Sequence, residues 1–169
     1  MDEIVNKVAN SGLITIDLED FISKKALVEF DIKNHLFQGL ILREKDFRTF
    51  LKEEDWTKYE GKNVALYCSS DAIVPTWAYM LLANRLSGIA NQVRFQTPSD
   101  FKTEELLHNI KQIDTEEYED KMLVIKGCSD GELSVAAYVE ITNLLTPFVK
   151  SIMYGEPCST VPIYKKKKK

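Results

Sequence analysis

An α/β fold is predicted for this sequence: a single domain with a mainly parallel sheet, built from two tandem α-β-loop-α-β repeats plus N-terminal strands. Three observations carry the prediction. Two long stretches of the chain align without a gap. Each holds one continuously apolar run of strand length, the pattern of a strand covered on both faces. Each run then leads through a polar loop into a helical segment and a second short strand. Strand–helix–strand of this length is a βαβ crossover, which implies parallel pairing and a right-handed connection.

The alignment sets Phe47–Phe95 on Leu106–Tyr154, a shift of 59 residues (106 less 47). Eleven positions are identical: Lys52/Lys111, Asp55/Asp114, Tyr59/Tyr118, Glu60/Glu119, Lys62/Lys121, Ser70/Ser129, Asp71/Asp130, Ala78/Ala137, Tyr79/Tyr138, Asn84/Asn143 and Leu86/Leu145. Tandem duplication is the reading, with both copies side by side in one sheet. Strands of the two copies lying in different sheets would count against it.

In chain order, "GLITIDLEDF" and "ALVEFDI" read as two N-terminal strands. A strand at Leu40–Leu42 is expected to pass into a helix after Arg43. A short helix ends near "DWTKYEGK", and the buried strand Val64–Tyr67 follows. The next helix starts at Pro75, since proline suits the first helical position. Gln92–Phe95 closes the first copy. The second copy repeats this as "DTEEYEDK", strand Leu123–Ile125, a helix capped near Ser134 and strand Ser151–Tyr154.

The 169 residues are 44% hydrophobic and 28% charged, which suits one globular domain over residues 1–164. Lys165–Lys169 is expected as a disordered tail. It holds five of the 22 basic residues, so the body sets 17 against 26 acidic ones. An acidic body argues against nucleic acid as a partner. No apolar run reaches the roughly 20 residues of a membrane span. The N-terminus lacks the basic and apolar regions of a signal peptide. Three cysteines without a C-x-x-C pair predict free thiols in a reducing, cytoplasmic setting.

In open parallel sheets, ligands bind beyond the carboxyl ends of the strands. Two corners are expected there, "YCSSDAIVP" and "KGCSDGELS". They make Ser69, Ser70, Asp71, Ser129 and Asp130 candidate anion- or ligand-binding residues beside helix N-termini. Ser70, Asp71, Ser129 and Asp130 are expected to bond backbone N–H groups. The same residues also serve ordinary loops, capping helices and packing a small thiol.

Each cysteine precedes a serine, and each follows an expected strand: Cys68, Cys128 and Cys158. Converging thiolates would hold a soft metal, with zinc, iron, copper(I) or an iron–sulfur cluster as the cofactor classes. His35 and His108 are further ligand candidates. A one-residue stagger opposes convergence, because the shift pairs Cys68 with Gly127 and Ser69 with Cys128. The competing reading is an enzyme acting on a small anionic substrate, with Cys68 or Cys128 as nucleophile. No arginine six residues on from either cysteine clamps an anion, and no P-loop or GxGxxG occurs. A structural or interaction module with bystander thiols is the third reading.

"DEIVNKVANSGLITIDLEDF", "LFQGLILREKDFR", "CSSDAIVPTWAYM", "KGCSD" and "KSIMYGEPCSTVPIYK" resemble an uncharacterised bacterial family, domain of unknown function 2480. The resemblance spans Asp2 to about Lys165 and brings no activity with it. It implies a bacterial source, a natively lysine-rich C-terminus and iron–sulfur assembly proteins as partners. The function expected is an accessory metal-, iron–sulfur- or sulfur-handling binding protein.

Overall fold

The computed structural model describes residues 12–127, 133–156 and 158–167. Its strands are β1 (Leu13–Asp17), β2 (Leu27–Asp31), β3 (Asn63–Tyr67), β4 (Gln92–Phe95), β5 (Met122–Lys126), β6 (Ser151–Glu156) and β7 (Ser159–Lys165). Its α-helices are α1 (Glu44–Glu53), α2 (Thr76–Leu86), α3 (Pro98–Ile110) and α4 (Val135–Leu145). The chain divides into two compact units. Residues 24–102 form one, called inner for its place in the sequence; residues 1–23 and 103–169 form the outer one.

The α/β class and the parallel pairing are as expected, but the single sheet is not. The inner unit holds a sheet of order β2-β3-β4, and the outer unit holds β1-β5-β6-β7. β3 and β5, the central strands of the two repeats, therefore lie in different sheets, and duplication into one shared sheet fails. The reason is edge saturation. β3 pairs with β2 on one side and β4 on the other, and β5 likewise pairs with β1 and β6. Neither central strand has a hydrogen-bonding edge left for the other.

Within each unit the 59-residue relation holds down to single backbone bonds. Asn63 pairs with Gln92 in one sheet, and Met122 pairs with Ser151 in the other. Gly61 N–H donates to Ile89 O, and Asp120 N–H donates to Phe148 O. Both donors have positive φ, 67° and 52°, a conformation glycine adopts freely and Asp tolerates. Asp55 and Asp114 each accept a backbone N–H two residues on and open a 3-10 turn, Trp56–Tyr59 or Thr115–Tyr118.

The similarity reaches further upstream than the aligned segments. β1 and β2 both end in Asp, and each Asp caps a 3-10 turn, Leu18–Phe21 or Ile32–His35. The first strands of both units thus precede both aligned repeats in the chain, in the order outer then inner.

Each unit buries its own core. The inner one gathers Phe30, Ile32, Phe47, Trp56, Val64, Leu66 and Leu82. The outer one gathers Leu18, Ile110, Leu123, Ile141, Leu145 and Ile152. Fully burying one such side chain contributes about 1.5–3 kcal/mol. Val64, Ala65 and Leu66 of β3 are all buried, the continuous apolar run of a strand covered on both faces, and the buried Asn63 before them accepts a hydrogen bond from the Asn91 side chain.

Three local expectations change. Leu40–Leu42 is not a strand; Phe37 and Ile41 form an isolated antiparallel bridge around Gln38 and Gly39, both at positive φ. Pro75 is the N-cap of α2, not its first helical residue, with extended ψ of 138°. The chain also continues past the expected last strand into β7, which returns antiparallel to β6 as an edge strand and so accommodates Pro162. Lys165 closes β7, and Lys166 is held by Lys150 O and Asp120 Oδ1, so the ordered chain includes two lysines expected in the tail.

Candidate functional site

The inner corner begins where β3 ends. Asp31, the last residue of β2, is the register partner of Tyr67 at the end of β3. Its carboxylate therefore lies beside the first residues to leave the sheet. Oδ1 accepts Ser69 N–H and Lys33 N–H, each at 3.0 Å, and Oδ2 accepts the Ser69 hydroxyl at 2.5 Å. Burial alone would raise the Asp31 pKa; the Ser69 side-chain and backbone bonds and the Lys33 bond outweigh it and hold it below the usual carboxylate range.

Cys68 is half-buried and packs against the inner core. Its Sγ lies 3.2 Å from Ser70 Oγ and also donates to Ser70 O at 3.6 Å. Tyr79, one turn into α2, lies edge-on to Phe95, with ring centroids 4.8 Å apart. Burial pushes the Tyr79 hydroxyl pKa up, and the nearby Cys68 and Asp31 add to the shift. Tyr67 donates to Glu29 Oε2 at 2.6 Å, a bond that carries its pKa to about 12.

The outer unit closes the equivalent corner differently. Gly127 stands at the position of Cys68. A Cβ there would lie 2.3 Å from the Tyr138 hydroxyl and 2.5 Å from Leu133 Cδ1. Tyr138 is the counterpart of Tyr79 and keeps the edge-on ring pair, here with Tyr154 at 5.6 Å. Asp17, the counterpart of Asp31, binds Lys126 Nζ at 2.8 Å. That bond, stronger than the opposing burial, lowers the Asp17 pKa.

The predicted residues are distributed as follows. Cys68, Ser69, Ser70 and Asp71 sit at the carboxyl end of β3, as expected, but their bonds differ from expectation. Ser70 meets the Cys68 sulfur through its hydroxyl, and Asp71 is exposed and makes no side-chain hydrogen bond among the described residues. Cys128, Ser129 and Asp130 lie outside the described residues. Cys158 is exposed in the turn between β6 and β7 of the outer unit, whereas Cys68 belongs to the inner one.

Among the described residues, no group of three His, Cys, Asp or Glu side chains is arranged to hold a metal. His35 is packed among rings, 4.0 Å from Phe50 and 5.2 Å from Phe30 between centroids, and burial lowers its pKa. His108 is exposed on α3. No helix among the described residues is long and apolar enough to cross a membrane.

Two corner residues escaped the sequence reading, Asp31 and Tyr79. Tyr79 was visible as a repeat identity. Asp31 was visible only as the Asp shared by "LITID" and "LVEFD", whose equivalence needs the sheet pairing.

Comparison with known proteins matches residues 2–166 to one family, described as protein of unknown function (DUF2480). No curated protein matches the chain. No solved structure matches it either. The chain belongs to the DUF2480 family.

Proposed function

We propose that the protein is a cytoplasmic, non-catalytic accessory protein that handles sulfur or a soft metal through the thiol corner of its inner unit. One observation carries the reading: the outer unit has the same strand and helix, β5 and α4, with Gly127 at the position of Cys68. The shared backbone thus accepts glycine where Cys68 stands, and the outer unit carries its cysteine one position later, at Cys128; we read the half-buried Cys68 thiol as the reactive group of the inner corner. The corner is also held in place, because Asp31 ties Ser69 twice and Ser70 meets the sulfur.

Binding is favoured over catalysis by the neighbours. A general base must be free to take a proton. Asp31 already accepts three hydrogen bonds and is more acidic than usual, and His35 is packed in the aromatic cluster. Two ligands fit one thiol. A persulfide-bearing carrier needs Cys68 alone: the thiolate attacks the terminal sulfur, a new S–S bond forms, and the carrier leaves as its thiolate. Zinc, iron or an iron–sulfur cluster would need further ligands, supplied by a partner such as an iron–sulfur assembly protein.

Protein purified without oxygen is treated with a persulfide donor and read by intact mass, with metal analysis and a visible spectrum in parallel. A one-sulfur increment, or bound metal, that disappears in Cys68→Ser and survives in Cys158→Ser is the expected result. Equal uptake by Cys68→Ser, or none by the native chain, overturns the reading.

A further inference from the structure

The two units differ again near the C-terminal ends of their helix pairs. In the inner unit an open cleft of about 400 Å³ lies between α1 and α2. Arg48, Leu51 and Lys52 line it from α1, and Leu81, Asn84 and Arg85 line it from α2. Leu51 is buried and Leu81 half-buried, so the floor is apolar and the rim cationic.

The outer unit has the equivalent helix pair, α3 and α4. The 59-residue relation keeps Lys52 as Lys111 and Asn84 as Asn143, and it sets Leu81 on Glu140. There Lys111 Nζ faces Glu140 Oε1 at 3.8 Å, so the outer unit supplies its own counter-charge. The inner unit has leucine where that glutamate stands. Lys52 has no carboxylate partner among the described residues.

The inner unit also adds two cations. Arg48 and Arg85 replace residues that are Leu107 and Leu144 in the outer unit. Arg48 binds Glu44 through Nε alone, which leaves the other guanidinium N–H groups available. Arg85 lies 5.8 Å over the Trp56 ring. A lysine near a helix C-terminus favours the helix dipole, and Lys52 and Lys111 share that role. Arg85 also lies in the last turn of α2, but neither arginine has a cationic counterpart in the outer unit, and both stand out in a chain whose net charge is −4.

We propose that this cleft binds a small phosphorylated organic molecule. A phosphate monoester accepts several donors at once and matches the forked geometry of two arginines. Leu51 and Leu81 offer packing for its organic part, and the volume lies within the range of small-molecule sites. The site is independent of the thiol corner.

Phenyl phosphate, inorganic phosphate, benzoate and a short single-stranded oligonucleotide are titrated into the full chain by calorimetry. Phenyl phosphate should bind tightest, because it alone combines a phosphate with a compact apolar body. Leu81→Glu installs the carboxylate of the outer unit and should weaken phenyl phosphate by roughly tenfold or more, the loss of about one charge-assisted contact. Arg85→Gln tests the same point without touching the floor, should the first variant fold poorly. Lys111→Ala in the outer unit, and Cys68→Ser, should bind like the native chain. No binding of phenyl phosphate, or unchanged binding in both cleft variants, overturns the proposal. So does tighter binding of the oligonucleotide, which would make the cleft a nucleic-acid contact.

Discussion

Where the inner unit leaves β3 through a cysteine, the outer unit leaves β5 through a glycine and fills the space with a tyrosine hydroxyl. Where the outer unit neutralises Lys111 with Glu140, the inner unit sets leucine opposite Lys52 and adds two arginines. The shared features are those the fold requires: parallel register, Asp-capped 3-10 turns, a positive-φ residue before each central strand and an edge-on aromatic pair. What one unit has and the other omits cannot be demanded by the fold. The contrast sets the inner unit apart at two places, with Cys68 where the outer unit has Gly127 and with arginines at 48 and 85 where it has Leu107 and Leu144.

The comparison can be broken most forcefully in the cores. Leu82 and Ile141 occupy equivalent positions on α2 and α4, and both are fully buried. Changing either to Ala should cost about 2–5 kcal/mol in urea unfolding. If one substitution proves nearly neutral, the two helices do not support their units in the same way.

A smaller effect is expected at the corner. Gly127→Ala forces a methyl group against Tyr138 and Leu133, and overpacking of this kind costs about 1–3 kcal/mol. Adding Tyr138→Phe removes the nearest atom and should recover part of the loss. A neutral Gly127→Ala would mean that the outer corner does not exclude a side chain, and Cys68 would lose its status as an optional residue.

Next come the capping aspartates. Asp31→Ala removes a cap and both ties to Ser69, for about 1–2 kcal/mol by thermal melting. Asp17→Ala removes the cap on Glu19 and a surface ion pair with Lys126, for about 1 kcal/mol. Equal losses would show that the Ser69 ties do not hold the inner corner.

The smallest effect is a pH dependence. His35 is held below its ordinary pKa of 6.5 chiefly by burial, with Glu54 opposing. Between the folded and unfolded pKa values the unfolded chain binds more protons, so stability falls as pH drops below about 6.5. The outer unit has Phe21 at the matching end of its 3-10 turn. His35→Phe should therefore flatten the stability profile just below pH 6.5, short of the range where carboxylates titrate. An unchanged slope would remove His35 as its source.

The chain's periodicity and turn chemistry were enough for much of the fold. β4 was placed at its observed ends, the α2 and α4 starts were placed to within a residue, and the parallel βαβ order followed from runs such as Val64–Leu66. Strands with mixed composition were less legible. "STVPIYK" carries a proline and runs into lysines, so no strand was expected there; its edge position makes both acceptable.

At the candidate site, Cys68, Ser69 and Ser70 were visible because they sit beside a repeated Ser-Asp pair. Asp31 was not, because it reaches them from a neighbouring strand 38 residues away in sequence. Local sequence encodes which residues extend, coil or cap, since those preferences act over a few residues. Which strand edges meet depends on competition across the whole folded chain. That competition paired β2 with β3 and β1 with β5, made two sheets of an apparent one, and brought Asp31 to the thiol corner.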